Sequence, residues 1–227
     1  MVRNAEINIP ILSPSYLTFL YNECPRCFYN QVKKISVRPR TPMPKIFTHI
    51  DGLCKEHFEG KKTQHISSLL PEGNVYFGDK WVQSKILTDS KSGRKCIIKG
   101  KTDTVIKFDN GEYGIVDFKT GFVKAENIEF YSKQLHAYAF ALEHAAYGKP
   151  KLFPITKLGL LVTEPDSMST PDEERFSFNG KIIFQEIKRD DEKFKSFLRE
   201  VLAILYSEKP PKPSDDCHFC EYKGMIQ

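Results

Sequence analysis

Two Cys-x-x-Cys pairs stand almost a whole chain apart, Cys24-Pro-Arg-Cys27 near one end and Cys217-His-Phe-Cys220 near the other. A Cys-x-x-Cys turn sets two thiolates where one metal ion or cluster can accept both, and two such turns complete a tetrahedral sulfur site. If the four cysteines act together, the fold must bring its two ends to one place, a clasp rather than a local zinc finger. The alternative is that the first pair packs in an apolar helix and the second is unrelated, since a free cysteine also serves as a small buried hydrophobe. Neither pair lies between a strand and a helix in the manner of a redox dithiol. Cys54 and Cys96 stand alone.

The rest of the chain reads as alternating helix and strand. Ser13-Pro14-Ser15 opens a helix that ends at the first cysteine pair. Residues 31 to 45 form a basic, proline-punctuated loop containing Arg38 and Arg40, and a second helix follows through His49, Asp51, Glu56 and His57. Residues 74 to 88 suggest strand. Cys96 to Phe108 and Tyr113 to Thr120 are β-rich runs around Asn110-Gly111, a strong hairpin signal. Helical periodicity from Glu126 to about Ala146, strands at 158 to 163 and 175 to 187, and a last helix opened by Asp190 or Asp191 complete the pattern. A proline-rich leash then delivers the second cysteine pair. Without an internal repeat or low-complexity tract, 227 residues read as a single α/β domain, with a core over about 45–207 and the metal clasp in 11–30 and 210–223.

The hairpin carries the chemistry. Asp103 interrupts one strand, while Asp117 and Lys119 interrupt the other at the i, i+2 spacing that sends both side chains to one face. Across an Asn-Gly turn the two aspartates come nearly opposite. Carboxylates and a lysine are costly to cluster unless something uses them. A hard divalent cation wants such oxygens, and the Phe118 carbonyl between the functional side chains could add another. An exposed strand face with an Asp-Lys pair is the plainer alternative. On the following helix, Gln134 and Tyr138 share a face at i, i+4, an amide beside a phenol, suited to a nucleic-acid backbone or base.

In order and approximate spacing, Leu12-Ser-Pro-Ser-Tyr-Leu17 leading to Cys24-Pro-Arg26, Gly100-Lys-Thr-Asp103, Val116-Asp-Phe-Lys-Thr-Gly121 and Gln134-Leu-His-Ala-Tyr138 resemble the motifs of the RecB-like branch of the PD-(D/E)xK nuclease superfamily. The cysteine clasp is similar to that of the branch's iron-sulfur nucleases, which include helicase-linked exonucleases and CRISPR adaptation nucleases. The resemblance implies a restriction-endonuclease-like core, a central mixed sheet flanked by helices. It also implies that Asp103 and Asp117 bind catalytic Mg or Mn, that Lys119 positions or activates the attacking water, and that Gln134 and Tyr138 help hold the DNA strand. The implied activity is a metal-dependent deoxyribonuclease, an exonuclease acting on single-stranded DNA or DNA ends, in DNA repair or beside a helicase or CRISPR adaptation partner.

Two departures matter. Cluster-bearing relatives carry one cysteine early and three late, whereas here the division is two and two, so Cys24, Cys27, Cys217 and Cys220 suit either a 4Fe-4S cluster or structural Zn. The upstream helical ligand lacks its usual preceding glycine; His49 is preferred on residue type and Asp51 is the rival. A non-catalytic DNA-binding or adaptor module that keeps the fold is the alternative function.

The net charge of +5 permits a polyanionic partner without demanding one; Arg38, Arg40 and nearby lysines are candidate phosphate grips. No apolar run reaches the roughly 18 residues of a membrane span. The first residues do not read as a secretory signal, so the expected setting is cytoplasmic, with reduced cysteines.

Overall fold

The computed structural model describes residues 9–39, 42–124 and 127–225; Arg40, among the candidate phosphate grips, lies outside them. Strands β1 (Ile11–Leu12), β2 (Gly73–Gln83), β3 (Leu87–Thr88), β4 (Lys95–Phe108), β5 (Tyr113–Thr120), β6 (Ile155–Ser169) and β7 (Ser177–Ile187) form one mixed sheet. Helices are α1 (Tyr21–Glu23), entered through a π-helical stretch Tyr16–Leu20, α2 (Pro25–Val32), α3 (Lys45–Phe58), α4 (Ile128–Glu143), α5 (Asp191–Leu205) and α6 (His218–Met225).

The β4–β5 hairpin turns where Asn110-Gly111 foretold, with Gly111 at φ 87° and its N–H donating to the Phe108 carbonyl. Only glycine takes that φ without strain. β5 then runs parallel to β6, so α4 is the crossover, while β6 and β7 form an antiparallel hairpin. β4 is the spine: β2 pairs along one edge, and β5 and β1 share the other, in register Thr104↔Val116 and Ile97↔Ile11.

Helices cover both faces. Phe58 of α3 packs with Ile106, Val116, Phe118 and Leu161. On the other face Leu135, Ala139 and Leu142 of α4 join Ile115, Leu158 and Leu160, with Phe194, Leu198 and Leu202 of α5 closing over them. The alternation of Ile115 and Val116 between these two cores is the period of two expected of a strand buried on both sides. The distal part of the β6–β7 hairpin, from Glu164 onward, projects as an exposed two-stranded ribbon. No helix among the described residues is long and apolar enough to cross a membrane.

Candidate active site and cysteine clasp

Asp103 sits where β4 and β5 part. The ladder's last pair is Thr104↔Val116, and beyond it Asp103 Oδ2 accepts the Phe118 N–H at 3.3 Å, a side-chain bond in place of a ladder bond. That seam brings Asp103 beside Asp117, as the hairpin arithmetic requires. Asp117 is buried, and its two oxygens meet different partners: Gln134 Nε2 donates to Oδ1 at 3.0 Å, and the Lys119 ammonium pairs with Oδ2. Lys119 also lies 4.9 Å from the centroid of the Tyr131 ring, a cation–π contact. Burial drives the Asp117 carboxyl up to about 7, opposed by Lys119 and reinforced by the like charge of Asp103. Burial works against the Lys119 ammonium, but Asp117 outweighs it and holds the lysine above its usual range.

A second lysine, which the sequence reading passed over, completes the electrostatics. Lys55 of α3 reaches Asp103 Oδ1 at 2.9 Å, Asp51 Oδ2 at 2.7 Å and Asp79 Oδ1 at 3.1 Å. Asp79 lies between Gly78↔Thr104 and Lys80↔Thr102 in the β2–β4 register, hence opposite Asp103. Asp79, Asp103 and Asp117 thus form a row across three adjacent strands. Asp79 takes a left-handed φ of 54°, uncommon for a residue other than glycine and tolerated best by Asn and Asp.

The other expected site residues fall into two groups. Asp51 joins the cluster through Lys55, whereas His49 is exposed, nine residues and about two and a half turns from the buried Phe58, on the far side of α3. Gln134 and Tyr138 share a face as expected, but that face is buried, so neither is presented to a DNA strand as the resemblance implied. Gln134 positions Asp117, and the Tyr138 hydroxyl donates to the Lys101 carbonyl at 2.6 Å. Tyr138 also explains the motif glycine: a Cβ on Gly100 would come 2.7 Å from Pro14 Cδ and 3.1 Å from Tyr138 Cε1. The early Ser-Pro-Ser motif, Gly100 and Tyr138 are therefore one packing contact. Arg38 pairs with Glu23 at 2.7 Å.

The donor set fits a divalent cation. Asp103 and Asp117 are hard oxygen donors side by side, and the buried Gln134 Oε1 next to them finds no hydrogen-bond partner. A buried amide oxygen without a partner is rare and costly.

At the C-terminal end of α1, the four cysteines of the two pairs converge. Their sulfurs all lie within 4.8 Å of one another, and none is in a disulfide. Cys24 ends α1 in an extended conformation (φ −160°) and Cys27 follows in the first turn of α2, while Cys217 precedes α6 and Cys220 lies within it. Arg26 Nε donates to the Pro211 carbonyl at 2.9 Å and the Tyr29 hydroxyl to that of Ser207 at 3.3 Å, which seats the leash on α2. Burial opposes thiolate formation at Cys24, but hydrogen bonds from the Cys27 and Ser214 backbone and the neighbouring thiols bring it down to about 7. Burial and the same crowding push Cys220 up to about 11. Four thiols this close to one another, with the first of them drawn toward ionisation, are what a thiophilic metal organises.

The model of the PD-(D/E)XK nuclease superfamily matches residues 49–225. A solved structure described as "Crystal structure of SSO0001" is similar in fold, with a TM-score of 0.51 and 12% identity over 95% of this chain and 85% of that one. No curated protein matches the chain.

Proposed function

Because the chain belongs to the PD-(D/E)XK nuclease superfamily, we propose that it is a metal-dependent nuclease that hydrolyses DNA phosphodiester bonds at the Asp103–Asp117–Lys119 site. The observation that carries this reading is a buried Asp117, wedged between Lys119 and Gln134 and beside Asp103, with the Gln134 Oε1 left unpartnered. Asp103 and Asp117 would hold the cation. A divalent ion supplies charge neutralisation at the phosphate and a lowered pKa for water. Gln134 fixes the Asp117 carboxylate in one orientation, and the Phe118 N–H does the same for Asp103. The Lys119 Nζ, held by Asp117 and the Tyr131 ring, is placed to orient a water or to meet charge developing on a phosphate oxygen.

The finer reading rests on motif order. It supports the RecB-like branch and an exonuclease acting on single-stranded DNA or ends, with a helicase or CRISPR adaptation partner as the associations that branch implies. The free thiols support a reducing, cytoplasmic setting. For the clasp, the four converging thiols support either a 4Fe-4S cluster or structural zinc. Iron with a visible absorption band in anaerobically purified protein would select the cluster, and zinc without such a band the single ion.

The test of catalysis is incubation with single-stranded and duplex DNA plus Mn. Cleavage by the wild type and none by Asp117→Ala or Lys119→Ala is expected; equal cleavage by all three sinks the proposal. One observation favours a binding module without catalysis: Lys55 already neutralises Asp103. Calorimetry decides, since that module would bind no Mn.

A further inference from the structure

The chain has a single tryptophan, Trp81, and it is 59% exposed on β2. Large aromatic rings normally gain from burial, so one left in water on a rigid strand asks for a partner. Its surroundings say which kind. In the β2–β4 register Trp81 stands opposite Lys101 and Gln83 opposite Lys99, so these side chains share one face of the sheet. The Lys99 ammonium lies 5.9 Å from the Trp81 ring centroid. Along β4, alternation puts Lys99, Lys101 and Asp103 on that face, while the intervening Gly100 turns the other way onto Pro14 and Tyr138.

This face leads into the catalytic cluster. Lys101 Nζ reaches Asp79 Oδ2 at 3.2 Å, and Asp79 shares Lys55 with Asp103. Trp81 is two residues along β2 from Asp79, about 7 Å. The two acids that a phosphate would otherwise avoid are thus already paired with lysines.

We infer that Trp81, flanked by Lys99 and Lys101, is a stacking platform for an unpaired base of single-stranded nucleic acid on its way to the Asp103 site. An exposed ring beside lysines on an open strand surface reads a base face and a phosphate backbone together. A duplex hides its base faces in the stack and offers the ring nothing. The inference rests on the nucleic-acid substrate proposed above but not on cleavage.

As the only tryptophan, Trp81 reports on itself. With EDTA present, an oligothymidylate of about 20 nucleotides should quench its fluorescence, and a blunt duplex of equal length should not. By anisotropy with labelled oligonucleotide, Trp81→Ala should weaken single-strand binding roughly tenfold or more, and Trp81→Phe should restore much of it. The Lys99→Ala/Lys101→Ala pair should lower the salt slope by about 1.4. An oligouridylate arm separates DNA from RNA: either strand quenching Trp81 supports the platform. No quenching by either strand, equal quenching by duplex, or unchanged affinity in folded Trp81→Ala overturns it. Mn-dependent cleavage with a silent Trp81 would remove this inference and leave the nuclease; quenching without cleavage would do the opposite.

Discussion

Helix α4 buries two polar clusters, one at its last residue and one near its middle, and the two are finished differently. At its last residue Glu143 accepts the Arg189 guanidinium with both oxygens, at 2.7 and 2.6 Å, and the Ile155 N–H at 2.9 Å, while Arg189 also holds Asp191. Near its middle Gln134 holds Asp117, but the amide oxygen has no partner and two carboxylates share the neighbourhood of Lys119. The first cluster is saturated and ties α4, β6 and α5 together. The second is incomplete as protein alone, which is the condition of a site that expects a ligand.

That contrast can be broken from either end. The largest effect is expected from Arg189→Met, which strands a buried Glu143 carboxylate and should remove about 3–5 kcal/mol of stability in denaturant melts. Cleavage per folded molecule should survive. Asp117→Asn should behave inversely, losing about 100-fold or more of the cleavage rate with a melting temperature near that of the wild type, because burial already disfavours the charged carboxylate. If Asp117→Asn unfolds the protein and Arg189→Met does not, the assignment of the two clusters is reversed.

Smaller changes sharpen the comparison. Lys55→Ala leaves Asp51, Asp79 and Asp103 without their shared ammonium and should cost about 1–2 kcal/mol. Added Mn should raise its melting temperature by more than that of the wild type, since a cation then replaces the missing one. The smallest effect is a loss of stability in mild acid from groups beside the Arg189–Asp191 segment, His136 and Asp191. His136 donates from Nδ1 to the Ser132 carbonyl at 2.7 Å and accepts the Asp190 N–H at Nε2, 2.8 Å. Burial depresses its pKa and the geometry holds the neutral ring. Below about 6.5 the unfolded chain takes up a proton that the folded chain refuses, so stability falls as pH drops from there toward the folded value. Asp191, where burial is outweighed by Arg189, has a depressed pKa; its contribution is present above about 4 and is lost as pH falls through the folded value. His136→Asn should flatten the upper part of this profile.

Local rules made half of the site legible. Asn110-Gly111 fixed the hairpin and so paired Asp103 with Asp117; strand alternation joined Lys119, and helical spacing joined Gln134 to Tyr138. Those same rules give spacing, not burial, which is why Gln134 and Tyr138 look like surface ligands in the sequence and are interior supports in the fold. Asp79 and Lys55 were illegible for another reason. Their meeting with Asp103 depends on the β2–β4 register and on where α3 lies over β5, both set by long-range packing. The choice between His49 and Asp51 needed the same information, since only the buried face of α3, marked by Phe58, tells them apart. The distal β6–β7 ribbon escapes local rules because Glu164 to Ser169 is largely polar, and a strand exposed on both faces has no apolar alternation to show.

The four-sulfur cluster has a topological consequence. Once metal joins Cys24 to Cys220 across a sequence separation of 196, the protein between them is a closed ring, and by the chain-entropy argument such a loop disfavours the unfolded state by about 5 kcal/mol. A single backbone cut in the exposed turn at 170–176 would open the ring into a line without releasing a fragment, and on unfolding, when the β6–β7 pairing and the α5 packing are lost, the metal alone would keep the two pieces together.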